Sequence, residues 1–104
     1  MVELGKNMYA VIFRAKLAKS DDDYFQTAKR MRELALGQYG CLEFVSVMEG
    51  DEEIAISYWE SEAQIRAWKN DPEHIRAQRL GRTRWYESWS VEVCKVERDY
   101  SNTG

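Results

Sequence analysis

The chain has 104 residues and a net charge of −3, which bounds it to one small domain that a second subunit would help to bury apolar surface. The acidic balance weighs against nucleic acid, whose binding rests on clustered cations, and no stretch approaches the ~18 uncharged apolar residues of a membrane span. Aromatic residues make up 12% of the chain; tryptophan and tyrosine join a large apolar area to a polar atom that needs a partner, so they mark cores, interfaces and ligand pockets alike.

A first strand is predicted over residues 8–17, where Tyr9, Val11, Phe13, Ala15 and Leu17 alternate with Ala10, Ile12, Arg14 and Lys16. Residues 20–23 open a helix: Asp21, Asp22 and Asp23 suit the positive end of its dipole, and Ser20 or any of these aspartates can cap it. Tyr24, Ala28, Met31, Leu34 and Ala35 make an apolar stripe at helical spacing, so this helix should lie on a sheet, with Gly37 and Gly40 bracketing its exit. A second strand over residues 41–49 sets Leu42, Phe44, Ser46 and Met48 against Glu43, Val45, Val47 and Glu49. The turn Gly50-Asp51-Glu52 leads straight into a third strand over residues 54–59, a hairpin.

Ser61 with Gln64 is a capping box for a helix carrying Ile65, Ala67 and Trp68. Asn70-Asp71-Pro72 interrupts it; Asp71 reads as a fresh N-cap with Pro72 at the first helical position, and the segment should run towards Leu80 and stop at Gly81. A last strand over residues 85–96 should place Trp85, Trp89, Val91 and Val93 on one face and Tyr86, Cys94 and Val96 on the other. Residues 1–100 form the domain and residues 101–104 a disordered tail. The order βαββα(α)β is the ferredoxin-like, α+β pattern: a four-stranded antiparallel sheet with helices on one face. The opposite face is too apolar for water, so two sheets should meet across a two-fold axis in a homodimer.

Cys41 and Cys94 form no CxxC and read as reduced, small apolar side chains. The opening MVELGKNMYAVIF has too short an apolar run for a secretory signal, and Arg14 and Lys16 follow at once. The expected location is the cytoplasm. His74, the single histidine, lies in the first turn of its helix. An ordinary imidazole pKa of about 6.5 suits proton transfer or ligation near neutrality; the alternative is a half-exposed residue bonding locally. No second histidine and no cysteine or carboxylate spacing completes a zinc set, so no metal site is expected. Arg76, Arg79, Arg82 and Arg84 read as a solvated helix face and helix end, with an anion clamp as the functional alternative.

The segments ISYWESEAQIRAW, NDPEH and AQRLGRTRWYESWSVEV carry a resemblance to the antibiotic biosynthesis monooxygenase (ABM) superfamily of dimeric α/β barrels. In element order it spans nearly the whole domain. It implies a fold and a family more sharply than a reaction, since such proteins include cofactor-free quinone-forming oxygenases and haem-degrading oxygenases. The cofactor-free type uses a tryptophan at the end of the third strand, matched by Trp59; its asparagine position is Ala55 and its helical tyrosine position is Ile65. The haem type uses a helical histidine, a tryptophan ten residues earlier and an asparagine on the first strand. Trp68 matches that tryptophan, the ligand position is Gln78 with His74 one turn earlier, and the asparagine position is Phe13.

The resemblance implies a homodimeric monooxygenase that oxidises a small, flat, electron-rich aromatic such as a phenol or hydroquinone with O₂ and no cofactor. Trp59 and His74 are then the catalytic candidates, His74 as base or proton donor. Phe13, Ile65 and Trp68 wall the pocket, Gln78 and Tyr86 line it, and Arg76 or Arg84 stabilises an anion. The alternatives are a haem-binding or haem-degrading oxygenase with His74 and Trp68 on the haem, and a non-catalytic dimeric module that binds a small ligand.

Overall fold

The computed structural model describes residues 7–102. The reading of the first six residues, and of Thr103 and Gly104 in the tail, lies outside the described residues. Strand β1 (Tyr9–Leu17) leads into α1 (Asp22–Gly37), whose N-cap is Asp21: its Oδ1 accepts from the Tyr24 amide at 2.9 Å. The apolar stripe of α1 buries Tyr24, Met31, Leu34 and Ala35. Strands β2 (Glu43–Glu49) and β3 (Glu52–Trp59) are joined at Gly50 with φ +61°, a left-handed turn that glycine adopts without a Cβ penalty. Ser61 caps α2 (Glu62–Lys69) by accepting from the Gln64 amide at 3.2 Å. Asp71 caps α3 (Pro72–Leu80) by accepting from the Glu73 amide at 2.8 Å, with Pro72 at the start of the helix.

Together with β4 (Tyr86–Lys95) the strands form one antiparallel sheet in the order β2-β3-β1-β4. This is the ferredoxin-like α+β fold. The register fixes which residues share a face, because paired residues point the same way. On the helix side stand Val11, Phe13 and Ala15 of β1, Glu53, Ala55, Ser57 and Trp59 of β3, and Phe44 and Met48 of β2. The opposite face carries Ala10, Ile12, Val45, Val47, Ile54, Ile56 and Tyr58.

Two expectations about the last third of the domain are corrected. Gly81 does not stop the helical stretch, which continues as a π-helical turn over Gly81–Trp85. Gly81 has ordinary helical φ and ψ of −58° and −49°, so its backbone gives no stop signal. The missing side chain matters for packing instead: a Cβ there would lie 2.3 Å from Cε2 of Tyr86. Trp85 therefore belongs to this turn rather than to β4. The pairing shifts between Lys16 and Leu17, setting Leu17 opposite Tyr86 and Ala15 opposite Trp89. Tyr86 and Trp89 consequently share the helix side, where strict alternation would have separated them.

Candidate functional site

The structure divides the sequence-predicted site residues among three places. The first is the larger core cluster. Trp59 is fully buried, and Ile65 and Trp68 pack beside it with Val11, Met31, Leu34, Ala35 and Cys41. The two indoles lie 5.2 Å apart at an interplanar angle of 35°. Both polar atoms are satisfied within the protein: Trp59 Nε1 donates to Ser57 Oγ at 2.8 Å, and Trp68 Nε1 donates to the Met31 carbonyl at 3.1 Å. His74 stands edge-on to Trp68 with ring centroids 4.3 Å apart. Gln78 Nε2 lies 3.0 Å from His74 Nδ1 and also reaches the Lys69 carbonyl at 3.4 Å. With the amide so placed, Nδ1 accepts and the imidazole proton is assigned to Nε2. Burial lowers the His74 pKa to about 4, so the ring is neutral at pH 7 and a weak base.

The second place is the smaller cluster, over the other end of the sheet. Here Leu17, Tyr24 and Trp85 are buried and Leu80 and Tyr86 pack on them. Tyr86 contacts Phe13 at 5.4 Å, although its register partner on β1 is Leu17; its ring must reach past the small side chain of Ala15. Tyr24 meets Trp85 edge-on at 5.4 Å and Tyr86 at 6.2 Å. The π-helical turn presents Trp85 and Tyr86 to this cluster in succession, and Gly81 leaves room for the phenol ring.

This end holds a residue that the sequence reading passed over. Glu53 is opposite Ala15 on β1 and Met48 on β2, points to the helix side, and is only 9% exposed. Its Oε1 has no hydrogen-bond partner among the described residues, nor do the Tyr24 hydroxyl and Trp85 Nε1. Such buried unpaired atoms are uncommon and costly. Burial pushes the Glu53 carboxyl above the usual carboxylate range. Burial and then the Glu53 charge push the Tyr86 phenol above its ordinary range. The signal was present in the sequence: counting back by twos from Trp59 through Ser57 and Ala55 reaches Glu53.

The third place is an outer cleft of about 290 Å³ between α1 and α3, which Arg76 and Arg84 line with Arg30 and Glu73. Arg84 is already engaged, donating to Asp21 at 2.7 Å, and Arg30 holds Glu73 through paired contacts of 3.0 Å. A second cleft, of about 330 Å³, opens at the sheet end beside Leu17, Met48 and Asp51. Met48 is the register partner of Glu53, so this cleft borders the smaller cluster.

The antibiotic biosynthesis monooxygenase family model matches residues 8–80. The chain belongs to that family. It is 45% identical to the uncharacterized protein YqjZ of Bacillus subtilis (strain 168) over 91 residues, covering 86% of this chain and 80% of that protein. Among solved structures it is similar to a mutant of SnoaB, a cofactor-independent oxygenase from Streptomyces nogalater. The TM-score is 0.76 at 11% identity, covering 91% of this chain and 98% of the other. Protein SO0527 from Shewanella oneidensis also reaches 0.76, at 7% identity over 90% of this chain and 95% of its own. At such identities the structural likeness speaks for the fold alone.

Within this ABM-family fold the residues present do not suit haem. His74 Nδ1 is occupied by Gln78, and the residue lines neither cleft described above. A ligating imidazole instead needs a lone pair at the metal and donates its other N–H to an acceptor. Gln78, at the family's ligand position, is spent on His74 and Lys69. No group of three or more metal-ligating side chains occurs among the described residues, and no described helix is long and apolar enough to cross a membrane.

Proposed function

We propose that this ABM-family protein oxidises a small phenol or hydroquinone-like aromatic with O₂, without flavin, haem or metal, in the space between helices and sheet. For a phenol the overall change is ArOH plus O₂ giving a quinone plus water. The observation that carries the reading is the smaller cluster. Phe13, Tyr24, Trp85 and Tyr86 supply ring faces and edges, and three buried polar atoms, the Tyr24 hydroxyl, Trp85 Nε1 and Glu53 Oε1, have no hydrogen-bond partner among the described residues. Aromatic walls with a few convergent polar atoms are what a flat hydroxylated ring requires. The packed Trp59–Trp68 pair belongs to the larger cluster at the other end of the sheet.

The reading includes a cytoplasmic homodimer joined through the apolar sheet face of Ile12, Val45, Val47, Ile54 and Ile56. Val45 and Val47 are 45% and 60% exposed in the single chain, a cost that a second copy of the same face would remove.

A second reading, a dimeric module that binds a small aromatic without turning it over, is favoured by Ala55 and Ile65. These occupy the positions where the resemblance expects hydrogen-bond donors, and donors aimed at developing charge are commonly the largest catalytic contribution. Oxygen uptake with a panel of phenols and hydroquinones separates the two: turnover supports the first, and saturable binding without uptake supports the second.

A further inference from the structure

We propose that Glu53 is the proton acceptor of this site: its carboxylate takes the hydroxyl proton of a phenol seated against Phe13 and Tyr86. This deepens the oxidase reading above and rests on it. It starts from the burial and placement of this side chain.

Glu53 lies on the helix side of β3, two residues along the same face from Ala55 and four from Ser57. Its neighbours on that face are the apolar Ala15 and Met48. A carboxylate oxygen buried there without a partner among the described residues costs folding free energy. The Tyr86 ring lies 5.4 Å from that of Phe13, and its phenol is within electrostatic range of the Glu53 carboxylate. Among the described residues no hydrogen bond joins the two. The cleft of about 330 Å³ is lined by Met48 and Leu17, which flank Glu53 across β2 and diagonally on β1.

The titratable groups around Glu53 are few. The Tyr86 phenol faces it from β4, and the Tyr24 phenol of α1 packs on Tyr86. Arg14, Lys16 and Glu52 alternate to the opposite face of the sheet. Burial is what raises the carboxyl, and a raised carboxyl is a stronger base, closer to a phenol whose ordinary pKa is about 10.

The step balances as follows. The phenol O–H bond breaks, the proton goes to Glu53 Oε1, and the electron pair stays on the substrate and spreads into the ring. A ring carbon of that phenolate adds O₂, the co-substrate of the reading above, and Glu53 returns the proton to the terminal peroxide oxygen. That return restores the Glu53 carboxylate, and loss of water, taking the ring hydrogen with the hydroperoxide OH, leaves the quinone.

The test compares wild type with Glu53→Gln on phenols of graded acidity at pH 7, following O₂ uptake. A substrate already ionised in solution does not need the base; a purely structural role would not sort substrates by acidity. Glu53→Gln should lose about 100-fold or more in kcat/KM on weakly acidic phenols, in line with general-base contributions of ~10²–10⁴. It should lose less than about 5-fold on halogenated hydroquinones acidic enough to be already ionised at that pH. Uniform loss across the series, or no loss, overturns the assignment while leaving the oxidase reading intact. If wild type consumes no O₂ with any phenol, that reading fails and the Glu53 assignment with it.

Discussion

Gly81→Ala probes how the π-helical turn holds the candidate site. The new methyl carbon would sit 2.3 Å from Cε2 and 2.7 Å from Cδ2 of Tyr86. Carbon atoms pack at about 3.5–4.0 Å, so the ring must retreat by more than about 1 Å. Overpacking of this kind costs about 1–3 kcal/mol. Because Gly81 has helical torsions, alanine recovers up to about 1 kcal/mol of helix propensity. The net loss should be about 1–2 kcal/mol, read as a lower urea midpoint with unchanged slope and a Tm lower by about 4–8 °C per kcal/mol. In a Tyr86→Ala background only the propensity gain remains, so the same substitution should be neutral or stabilising by up to about 1 kcal/mol, and a double-mutant cycle should show coupling of about 1–3 kcal/mol. A Gly81→Ala protein as stable as wild type, or an additive cycle, would refute the packing role assigned to this glycine.

Three further outcomes follow from the same geometry. His74, held near pKa 4 by burial, titrates below its unfolded value of about 6.5, so the unfolded chain takes up the proton first. Stability should therefore fall by about 3 kcal/mol as pH drops from about 6.5 to about 4, and His74→Gln should flatten that limb in urea melts across pH. Glu53 has the opposite sign: its raised folded pKa means that stability is lost as pH climbs through the carboxylate range. Glu53→Gln should then be more stable than wild type by about 1 kcal/mol at pH 7, with the difference vanishing at low pH; a destabilised variant at pH 7 would oppose this. Sedimentation should give a dimer at micromolar concentration, and Ile56→Glu, placing a charge in the apolar sheet face, should give a folded monomer. A wild-type monomer would remove the dimer from the proposal.

The elements were legible where their cause is local. The caps at Ser61 and Asp71 follow from a side chain and an amide two or three residues on, and the alternation in β1 and β3 follows from the pleat. What escaped depends on contacts distant in sequence or on broken alternation. Gly81 looked like a helix stop because its reason, the ring of Tyr86, is set by a π-helical turn that no local pattern announces. The face of Tyr86 depends on the pairing shift after Lys16. Starting the third strand at Ile54 left Glu53 in the hairpin turn beside Asp51 and Glu52, where a carboxylate looks like a solvated residue. The predicted site residues were read as one pocket, but they lie in two core clusters and an outer cleft: Trp68 on α2 and His74 on α3 meet at the larger cluster, whereas Arg76 on α3 lines the cleft.

The most direct measurement is O₂ consumption by the purified protein with phenols and hydroquinones, in the presence of a metal chelator and with isotope-labelled O₂. The proposed function predicts saturable uptake that needs no flavin or haem, with one labelled oxygen in the quinone and the other in water. Absence of uptake across the panel, or uptake that appears only when haem or a metal is added, would contradict it.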